Sequence, residues 1–357
     1  MVKDTLVRRP DDLTVAWAQR VVCGHARNVT VSRVEVLSTD VGTTTRVRIA
    51  VEHDGLEALP RRWFVKLPSR SRRARWLTAL PRLLNTEARF YREVAPSVPV
   101  RQPRMLAARS RLGRGSTLAL GDVTEHGATT GVPHDALTIE QALLVIGQLA
   151  RLHAHFWNHA NLHSDYGWLA GPVRRLEDRL GTILAVPLME RGLRLAGNVI
   201  PAALHGPALD YSSRRSQVMR VLADGPQTLV HHDLHPGNLY WDQDGPGFLD
   251  WQLVRIGEGI GDIAYFLATA LEPEVRRACE RHLLSHYQEL LAEGGVGGLD
   301  SGHLLQRYRA HLVYPFEAMV VTLAVGGMMK RESNLELIRR AAAAVEDHDA
   351  LGIGTKR

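Results

Sequence analysis

The feature that most constrains this 357-residue chain is a polar segment, residues 231–238, that lies between two short apolar runs. The segment reads His-His-Asp-Leu-His-Pro-Gly-Asn, and the runs at residues 228–230 and 247–249 have the length and composition of short strands. Helical patterns precede and follow them. Strands fix the two ends of a loop, and polar side chains on a fixed loop are well placed for binding or catalysis. The sequence therefore predicts a site of chemistry at residues 231–238.

The first third of the chain has the alternating pattern of β-strands. Val47, Ile49 and Val51 alternate with polar or small residues, and a second alternating run covers residues 63–67. A further apolar run, residues 117–120, also has the length of a strand. These segments predict a sheet in the N-terminal part of the chain.

From Thr138 onward the pattern becomes helical. Thr138 and Gln141 have the spacing of a capping box, and an apolar stripe follows, formed by Val145, Leu149, Leu152 and Phe156. The most apolar stretch, residues 318–329, is too short to span a bilayer and is interpreted as a buried helix. We therefore expect an α+β chain in which residues 1–122 form a strand-rich lobe and residues 123–357 form a helical lobe.

Composition limits the classes of function. The chain contains 44 Lys and Arg and 38 Asp and Glu residues, so its formal net charge of +6 suits an anionic ligand such as a nucleotide. The arginine cluster at residues 70–75 has no interleaved aromatic residues, so we interpret it as a solvated loop and expect no nucleic-acid partner. Cys23 and Cys279 lie far apart, which is typical of a reducing compartment. With no apolar leader, we expect a cytoplasmic protein without membrane insertion.

The spacing of Asp233, Asn238 and Asp250 matches what phosphoryl transfer requires, namely a carboxylate near the attacking hydroxyl and oxygen ligands for Mg²⁺. Asn238 follows Asp233 by five residues, the spacing of a kinase catalytic loop in which the Asp orients or deprotonates the nucleophile. Asp250 follows Asn238 by twelve residues, after a strand-like triplet. The sequence thus predicts Asp233 as the catalytic residue and Asn238 with Asp250 as Mg²⁺ ligands.

Two other interpretations of the loop remain open. Asp-Leu-His-Pro-Gly is a turn-forming composition, so the segment is also compatible with a plain turn, although a turn requires neither Asn238 nor Asp250. Histidine and aspartate are also ligands for zinc and iron. A metal-dependent hydrolase centred on His231, His232 and His235 is therefore the second functional alternative.

Three motifs, taken together, resemble the aminoglycoside phosphotransferase and choline kinase superfamily. They read His231-x-Asp233-x-x-Pro236-x-Asn238, then Asp250-Trp251-Gln252, then Gly261-Asp262-Ile263-Ala264-Tyr265. The Trp-Gln pair and residues 152–157 resemble most the ecdysteroid-kinase-like and choline-kinase-like branch. The resemblance implies a protein-kinase-like fold with a small antiparallel-sheet lobe, a large helical lobe and ATP between them. It also implies transfer of the γ-phosphoryl group of ATP to a hydroxyl of a small-molecule acceptor.

The same resemblance implies that Lys66 holds the α- and β-phosphates of ATP and is itself held by a helix glutamate. We expect Glu87 to be that partner, because it shares a helical face with Leu84 and Tyr91. Glu93 is the rival, but it lies off this face.

The resemblance further implies that Asp262 anchors the catalytic loop by hydrogen bonds and that His231 braces the backbone around Asp233. Neither residue is expected to touch the substrate. His235 stands where protein kinases keep a phosphate-contacting lysine, so it is a candidate contact of the γ-phosphate. Because no residue of the set Lys66, Asp233, Asn238 and Asp250 is missing, an active enzyme is favoured over a catalytically silent kinase-fold binding protein.

The remaining nucleotide contacts have weaker signals. Gly42 and Thr43 belong to the segment expected to cover the phosphates, which contains one glycine where protein kinases have three. The choice between ATP and GTP is therefore open. By order along the chain, the hinge that meets the adenine is expected at residues 118–123, with Leu120 and Asp122.

The acceptor pocket is expected to be lined by residues 161–225 and by the C-terminal helices. Acidic and basic residues are mixed in this region, whereas pockets for polycations such as aminoglycosides are usually acidic. This pattern favours a neutral or anionic hydroxylated acceptor. The sequence predicts neither the identity of the acceptor nor the oligomeric state.

Overall fold

The computed structural model describes residues 4–42, 44–55, 59–69, 83–111, 115–159 and 162–352. The chain divides into two compact units. Unit 1 consists of Met1–Thr129, Tyr240–Gln243 and Phe248–Leu253. Unit 2 consists of Thr130–Leu239, Asp244–Gly247 and Val254–Arg357. Unit 1 therefore includes Asp250, which the predicted boundary after residue 122 assigns to the helical lobe.

Unit 1 is built on an antiparallel sheet in the order β1–β2–β3–β5–β4. Its strands are β1 (Val31–Val41), β2 (Thr44–His53), β3 (Arg62–Pro68), β4 (Met105–Arg111) and β5 (Gly115–Gly121). The alternation in the sequence is reproduced in the burial of side chains, because Val47, Ile49 and Val65 are fully buried on one face. The expected sheet is therefore confirmed.

Two helices pack on the sheet of unit 1, α1 (Val15–Val22) and α2 (Leu83–Glu93). Trp17 of α1 packs edge-to-face on Trp63 of β3, with ring centroids 5.8 Å apart. Both indoles are fully buried, and each donates its N–H to a backbone carbonyl, which makes their burial favourable. The expected arginine-rich loop at residues 70–75 lies outside the described residues.

Unit 2 is mostly helical. Its helices are α3 (Ile139–Phe156), α4 (Leu162–Asp165), α5 (Pro172–Ala196), α6 (His205–Ser213), α7 (Arg215–Leu222), α8 (Ile260–Ala270), α9 (Pro273–Glu293), α10 (Ser301–His311), α11 (Val313–Val325) and α12 (Arg331–Asp347). Along the chain, a boundary between the units falls within each of three short strands, namely β6 (Thr129–Thr130), β8 (Leu239–Asp242) and β9 (Gly245–Phe248). Within unit 2, β7 (Thr228–Val230) pairs with β10 (Arg255–Gly257) in antiparallel fashion.

Helix α8 is buried along almost its whole length and forms the centre of unit 2. A helix that is apolar on all sides has no face for solvent, so it is stable only inside a core. Helix α3 begins with the expected capping box of Thr138 and Gln141, and its apolar stripe is buried. These two helices fix the backbone positions from which the polar residues of unit 2 project.

The prediction of a buried helix at residues 318–329 is partly wrong. Helix α11 begins at Val313 and ends at Val325, because Gly326 and Gly327 follow with φ angles of 73° and 75°. Only glycine adopts such angles without strain, so the helix cannot continue through them. Met328 lies beyond this end and is 42% exposed. In the part of the chain that the structure describes, no helix combines the length and the apolar character needed to cross a membrane.

Candidate active site

Unit 1 contains a charged cluster formed by buried Lys66 and Glu87 with Asp250, whose side chain is 32% exposed. The Lys66 Nζ atom lies 2.8 Å from Glu87 Oε1 and 2.9 Å from Glu87 Oε2, and it lies 3.2 Å from Asp250 Oδ1. Lys66 is 4% exposed and Glu87 is fully buried. The structure thus brings together three of the predicted site residues from β3, α2 and the segment after β9.

Local structure explains why Glu87 and not Glu93 meets Lys66. The alternation of β3 buries Trp63 and Val65 on one face, and Lys66 projects from the other face, where Glu87 of α2 lies. Glu93 is engaged by arginines of its own helix, with both Arg89 and Arg92 at 2.6 Å. Glu93, the rival partner of Lys66, therefore forms its ion pairs with arginines of its own helix instead.

The charges of the cluster do not balance, since two carboxylates face one ammonium. Burial raises the pKa of Glu87 to about 7; Lys66 opposes this shift and the Asp250 charge adds to it. Burial alone would lower the pKa of Lys66, but the Asp250 and Glu87 carboxylates outweigh it and raise this pKa above its ordinary value. A cation placed beside Asp250 would complete the charge balance.

The segment that carries Asp250 is held in a strained conformation. Asp250 has a φ angle of 59°, in the left-handed region that non-glycine residues rarely adopt. Trp251 stacks on Phe90 with ring centroids 4.4 Å apart, and the Gln252 side chain hydrogen-bonds Glu87. Phe90 and Glu87 are three residues apart on α2, so one helix face supports both Lys66 and the Asp250 segment. This role of Phe90 and Trp251 was not predicted from the sequence, although the spacing of Glu87 and Phe90 on one helical face was visible.

The other predicted nucleotide contacts of unit 1 lie on the sheet and its turns. Gly42 accepts a hydrogen bond from Ser69 at its carbonyl, while Thr43 lies outside the described residues. Leu120 is buried on β5 and pairs with Phe64 of β3.

Asp122, the other predicted hinge residue, is buried after β5 in a well-satisfied position. Its carboxylate accepts hydrogen bonds from Thr124 and, at 2.9 Å, from Arg48. Its backbone N–H donates to the Arg62 carbonyl, so the side chain and the N–H both have partners within unit 1. Their role in binding a nucleotide remains a prediction.

Unit 2 contains residues 231–238, the predicted catalytic loop, and Asp262 of α8 anchors its backbone. The Asp262 carboxylate accepts hydrogen bonds from His231 N at 2.7 Å and from His232 N at 2.8 Å. His232 has a φ angle of 68°, so the loop turns through a left-handed residue directly before Asp233. Hydrogen bonds of this kind over-determine a strained backbone and allow it to persist.

A second set of residues holds Asp262 itself. His153 Nε2 lies 3.3 Å from Asp262 Oδ2, and His153 Nδ1 lies 2.9 Å from the Tyr287 hydroxyl. A Cβ atom at Gly259 would lie 2.8 Å from both His153 Nδ1 and the Tyr287 hydroxyl, so only glycine fits there. His153 is fully buried and supports the residue that anchors the predicted catalytic loop.

The Asp233 carboxylate receives two side-chain donors. The Tyr265 hydroxyl donates to Asp233 Oδ1 at 2.6 Å, and Asn238 Nδ2 lies 2.8 Å from the Asp233 carbonyl and 3.3 Å from Asp233 Oδ2. The structure therefore brings Asp233 and Asn238 together. Tyr265 was present in a motif but had been given no role, and its spacing of three residues from Asp262 is the signal that would have identified it.

Aromatic and paired charged groups surround the loop. The His232 ring stacks on Tyr314 of α11 at 4.0 Å, and Arg255, which pairs with Asp178 of α5 at 2.9 Å, approaches His232 Nε2 at 3.5 Å. Burial lowers the pKa of His232 well below its ordinary value, and the charges of Arg255 and Arg174 add to this. His232 is therefore a neutral aromatic side chain at neutral pH.

His235 has a local structural partner. Its Nδ1 atom accepts a hydrogen bond from Gly237 N at 3.1 Å and caps the short 3₁₀ helix Pro236–Asn238. Within the described ranges, no three His, Cys, Asp or Glu side chains are grouped as ligands of a metal ion.

The donor chemistry of the predicted metal ligands fits Mg²⁺. Asp250 offers carboxylate oxygens beside a cluster with excess negative charge. Asn238 uses its amide nitrogen toward Asp233, which makes its amide oxygen the atom suited to a cation. Mg²⁺ prefers oxygen ligands and usually takes only one or two from the protein, with the rest from water and phosphates.

The geometry agrees with a match to a known family. The family model described as the phosphotransferase enzyme family matches residues 46–295. The chain belongs to this family. The match includes the charged cluster, the catalytic loop and α8, and it confirms the resemblance to the aminoglycoside phosphotransferase and choline kinase superfamily. The proposed ecdysteroid-kinase-like branch stays a prediction.

Solved structures of other phosphotransferases share the fold. A GDP complex of wild-type aminoglycoside 2'-phosphotransferase-IIIa is 14% identical and covers 94% of this chain and 98% of that chain, with a TM-score of 0.51. A GDP and kanamycin complex of APH(2")-IIia is 16% identical, covering 93% and 98%, with a TM-score of 0.50. A choline kinase from Cryptosporidium parvum is 11% identical, covering 93% and 95%, with a TM-score of 0.50. No curated protein matches the sequence. The expected α+β, protein-kinase-like fold is confirmed.

Proposed function

We propose that this phosphotransferase uses ATP and Mg²⁺ to transfer the γ-phosphoryl group to a hydroxyl of a small molecule. The observation that supports this most is the charged cluster of Lys66, Glu87 and Asp250. Burying Lys66 and Glu87 costs desolvation energy, and the half-buried Asp250 adds a second negative charge beside them. A negatively unbalanced cluster with a fixed ammonium is suited to a nucleotide whose phosphates arrive with a divalent cation.

Each residue of the charged cluster has a distinct role in this proposal. Lys66 contacts the α- and β-phosphates, and Glu87 fixes the direction of the Lys66 side chain. Asp250 and Asn238 are the residues that would supply oxygen ligands to Mg²⁺, which would neutralise phosphate charge when bound. Gly42, Thr43, Leu120, Asp122 and His235 are proposed as further nucleotide contacts.

The catalytic loop supplies the group that handles the acceptor. Asp233 accepts the hydrogen bond of the acceptor hydroxyl and orients its oxygen for attack on the γ-phosphorus. Phosphoryl transfer needs little covalent work from the protein, so positioning accounts for most of the catalysis. The anchoring of the loop by Asp262 suits this task, because a fixed loop does not have to be reorganised during the reaction.

The charges near the loop support an acceptor without multiple positive charges. In unit 2, Asp178 pairs with Arg255, which approaches the catalytic loop, and Glu317 pairs with Arg215. Carboxylates that are already paired offer little to a polycation such as the kanamycin bound by one structural neighbour. We therefore propose a neutral or anionic hydroxylated acceptor. GDP is bound by two neighbours, so GTP is the alternative phosphoryl donor.

A screen of hydroxyl compounds with γ-labelled ATP and Mg²⁺ tests this function. The library needs neutral, anionic and polycationic arms, and each active compound is repeated with GTP and with Asp233→Asn. We expect label transfer to a neutral or anionic compound by the wild-type protein alone. Transfer restricted to polycations would refute the acceptor class, and nucleotide binding without any turnover would favour a catalytically silent binding protein.

A further inference from the structure

The Asp233 carboxylate is held by a tyrosine that belongs to the helix anchoring its loop. Tyr265 and Asp262 are three residues apart on α8, so their side chains leave the same face of the helix. Asp262 binds the backbone N–H groups of His231 and His232, while the Tyr265 hydroxyl donates to Asp233 Oδ1 at 2.6 Å. One helical turn thus fixes both the backbone of the catalytic loop and the side chain of its carboxylate.

We propose that Tyr265 is a positioning residue for phosphoryl transfer, whose hydroxyl sets the orientation of the Asp233 carboxylate toward the acceptor hydroxyl. The proposal rests on the function proposed for Asp233. An aspartate side chain rotates about two bonds, and a hydrogen bond to one oxygen restricts both rotations. The Asp233 carboxylate is then held in one orientation before the acceptor arrives, which is the condition for efficient positioning.

The surroundings of Tyr265 keep its hydroxyl in this role. The side chain is 1% exposed and lies inside the core around α8, so the ring has no room to turn away. Burial, and then the negative charge of Asp233, raise the pKa of Tyr265 well above its ordinary value. The phenol therefore keeps its proton and remains a donor at any working pH. A hydrogen bond from a neutral donor to a carboxylate is among the stronger ones in proteins.

A comparable bond elsewhere in unit 2 provides a matched control. Tyr308 is fully buried on α10, and its hydroxyl lies 3.3 Å from Oε2 of Glu280 on α9. The same oxygen also accepts a hydrogen bond from Arg276. The change Tyr308→Phe removes the same atom from the same kind of bond. Neither Tyr308 nor Glu280 belongs to the catalytic loop or the charged cluster, so the pair separates a loss of packing from a loss of positioning.

The experiment compares Tyr265→Phe with Tyr308→Phe, using hydrolysis of Mg·ATP with water as the acceptor and release of phosphate as the signal. We expect Tyr265→Phe to lower kcat by about 10-fold to 100-fold, as displacements of about 1 Å in a positioned group do. The KM for ATP and the calorimetric affinity for Mg·ATP should stay unchanged. Tyr308→Phe should retain the wild-type kcat. A wild-type kcat in Tyr265→Phe overturns the proposal.

A double-mutant cycle with Asp233→Ala separates positioning from a general structural role. If Tyr265 acts through Asp233, Tyr265→Phe should cause no further loss of kcat in the Asp233→Ala background. Losses that multiply would mean that Tyr265 acts independently of Asp233, against the proposal. If Asp233→Ala alone keeps the wild-type rate, the function proposed for Asp233 fails, whatever Tyr265 does.

The same four proteins allow a test that needs no turnover. The midpoints of thermal unfolding should be non-additive across the cycle, because removing either partner already breaks the hydrogen bond. Additive shifts would show that the two side chains are not coupled in solution and would overturn the proposal even if no hydrolysis is detectable.

Discussion

The charged cluster of unit 1 and the catalytic loop of unit 2 are both polar and at least half-buried, but different interactions hold them. In the charged cluster, the side chains of Lys66, Glu87 and Asp250 contact one another directly, with two negative charges against one positive charge. In the catalytic loop, backbone N–H groups of His231 and His232 are bound to Asp262. The cluster therefore has an excess of negative charge, whereas the loop is fixed by hydrogen bonds to its backbone.

This difference indicates how each region depends on ligands. An unbalanced buried cluster is improved by any ligand that brings a cation, so the arrangement around Lys66 should respond to Mg·ATP. The anchored loop already has partners for its backbone, and its geometry should be the same with and without a nucleotide. Mutations of Asp233 should therefore affect turnover, and mutations in the cluster should affect binding.

The largest effect should come from Asp233→Asn, which keeps the shape of the side chain and removes the charge that orients the acceptor. We expect kcat to fall at least about 10²-fold, with affinity for Mg·ATP nearly unchanged, because the cluster is untouched. Steady-state kinetics and calorimetry measure the two effects. A variant that retains more than half of the wild-type kcat would rule out Asp233 as the catalytic residue.

Asp250→Ala should show the opposite division between binding and turnover. Loss of one proposed Mg²⁺ ligand should weaken Mg·ATP binding by roughly 10-fold to 100-fold, whereas binding of metal-free adenosine should change little. Calorimetry with both ligands makes adenosine the internal control. Equal losses for the two ligands would mean that Asp250 supports the fold and not the metal, and the contrast between the cluster and the loop would be lost.

Parts of both regions could be predicted from the sequence, but only features that depend on residues close together along the chain. Alternation at residues 63–67 predicted the strand that carries Lys66, and helical spacing favoured Glu87 over Glu93. The capping box of α3 was also correctly predicted. These inferences succeeded because strand and helix periodicity is set by local backbone geometry.

The contacts that sequence reasoning missed join segments far apart in the chain. Trp251 stacks on Phe90, and the Tyr265 hydroxyl donates a hydrogen bond to Asp233. Tyr265 lies in a mostly apolar helix, so the sequence pattern indicated a core residue and gave no sign of this hydrogen bond. The left-handed φ of Asp250 had no local signal either, since no glycine stands there. The end of α11 was misplaced for a different reason, because hydropathy was given more weight than Gly326 and Gly327.

The Lys66–Glu87 pair provides a sharper test of the cluster. Lys66→Ala and Glu87→Ala should each lower kcat/KM for ATP by about 10-fold, the effect expected from losing one charged hydrogen bond. The double variant should be little worse than Lys66→Ala, because the two residues act as a unit. Glu93→Ala, on the same helix, serves as the control and should stay near wild type. Losses that multiply would mean that Glu87 does not act through Lys66.

The smallest effect on activity is expected for the pH dependence of stability, which concerns the folding of the free protein. The pKa of Glu87 is raised from 4.5 to about 7, so the folded state binds a proton more tightly there than the unfolded state does. The stability contributed by this proton is fully present below pH 4.5 and is lost as the pH rises through about 7. Relative to Glu87→Gln, which cannot titrate, the wild type should lose roughly 3 kcal/mol over this window.

Chemical denaturation of the two proteins at matched pH values measures this difference, because the other titrating groups are shared and cancel. Mg·ATP should reduce the effect, since a cation beside Asp250 favours the ionised form of Glu87. The catalytic loop provides the contrast, because Tyr265→Phe removes no group that titrates in this range and should leave the pH dependence of stability unchanged. If wild type and Glu87→Gln have parallel stability curves, the cluster is balanced in solution and does not depend on a ligand for its charge.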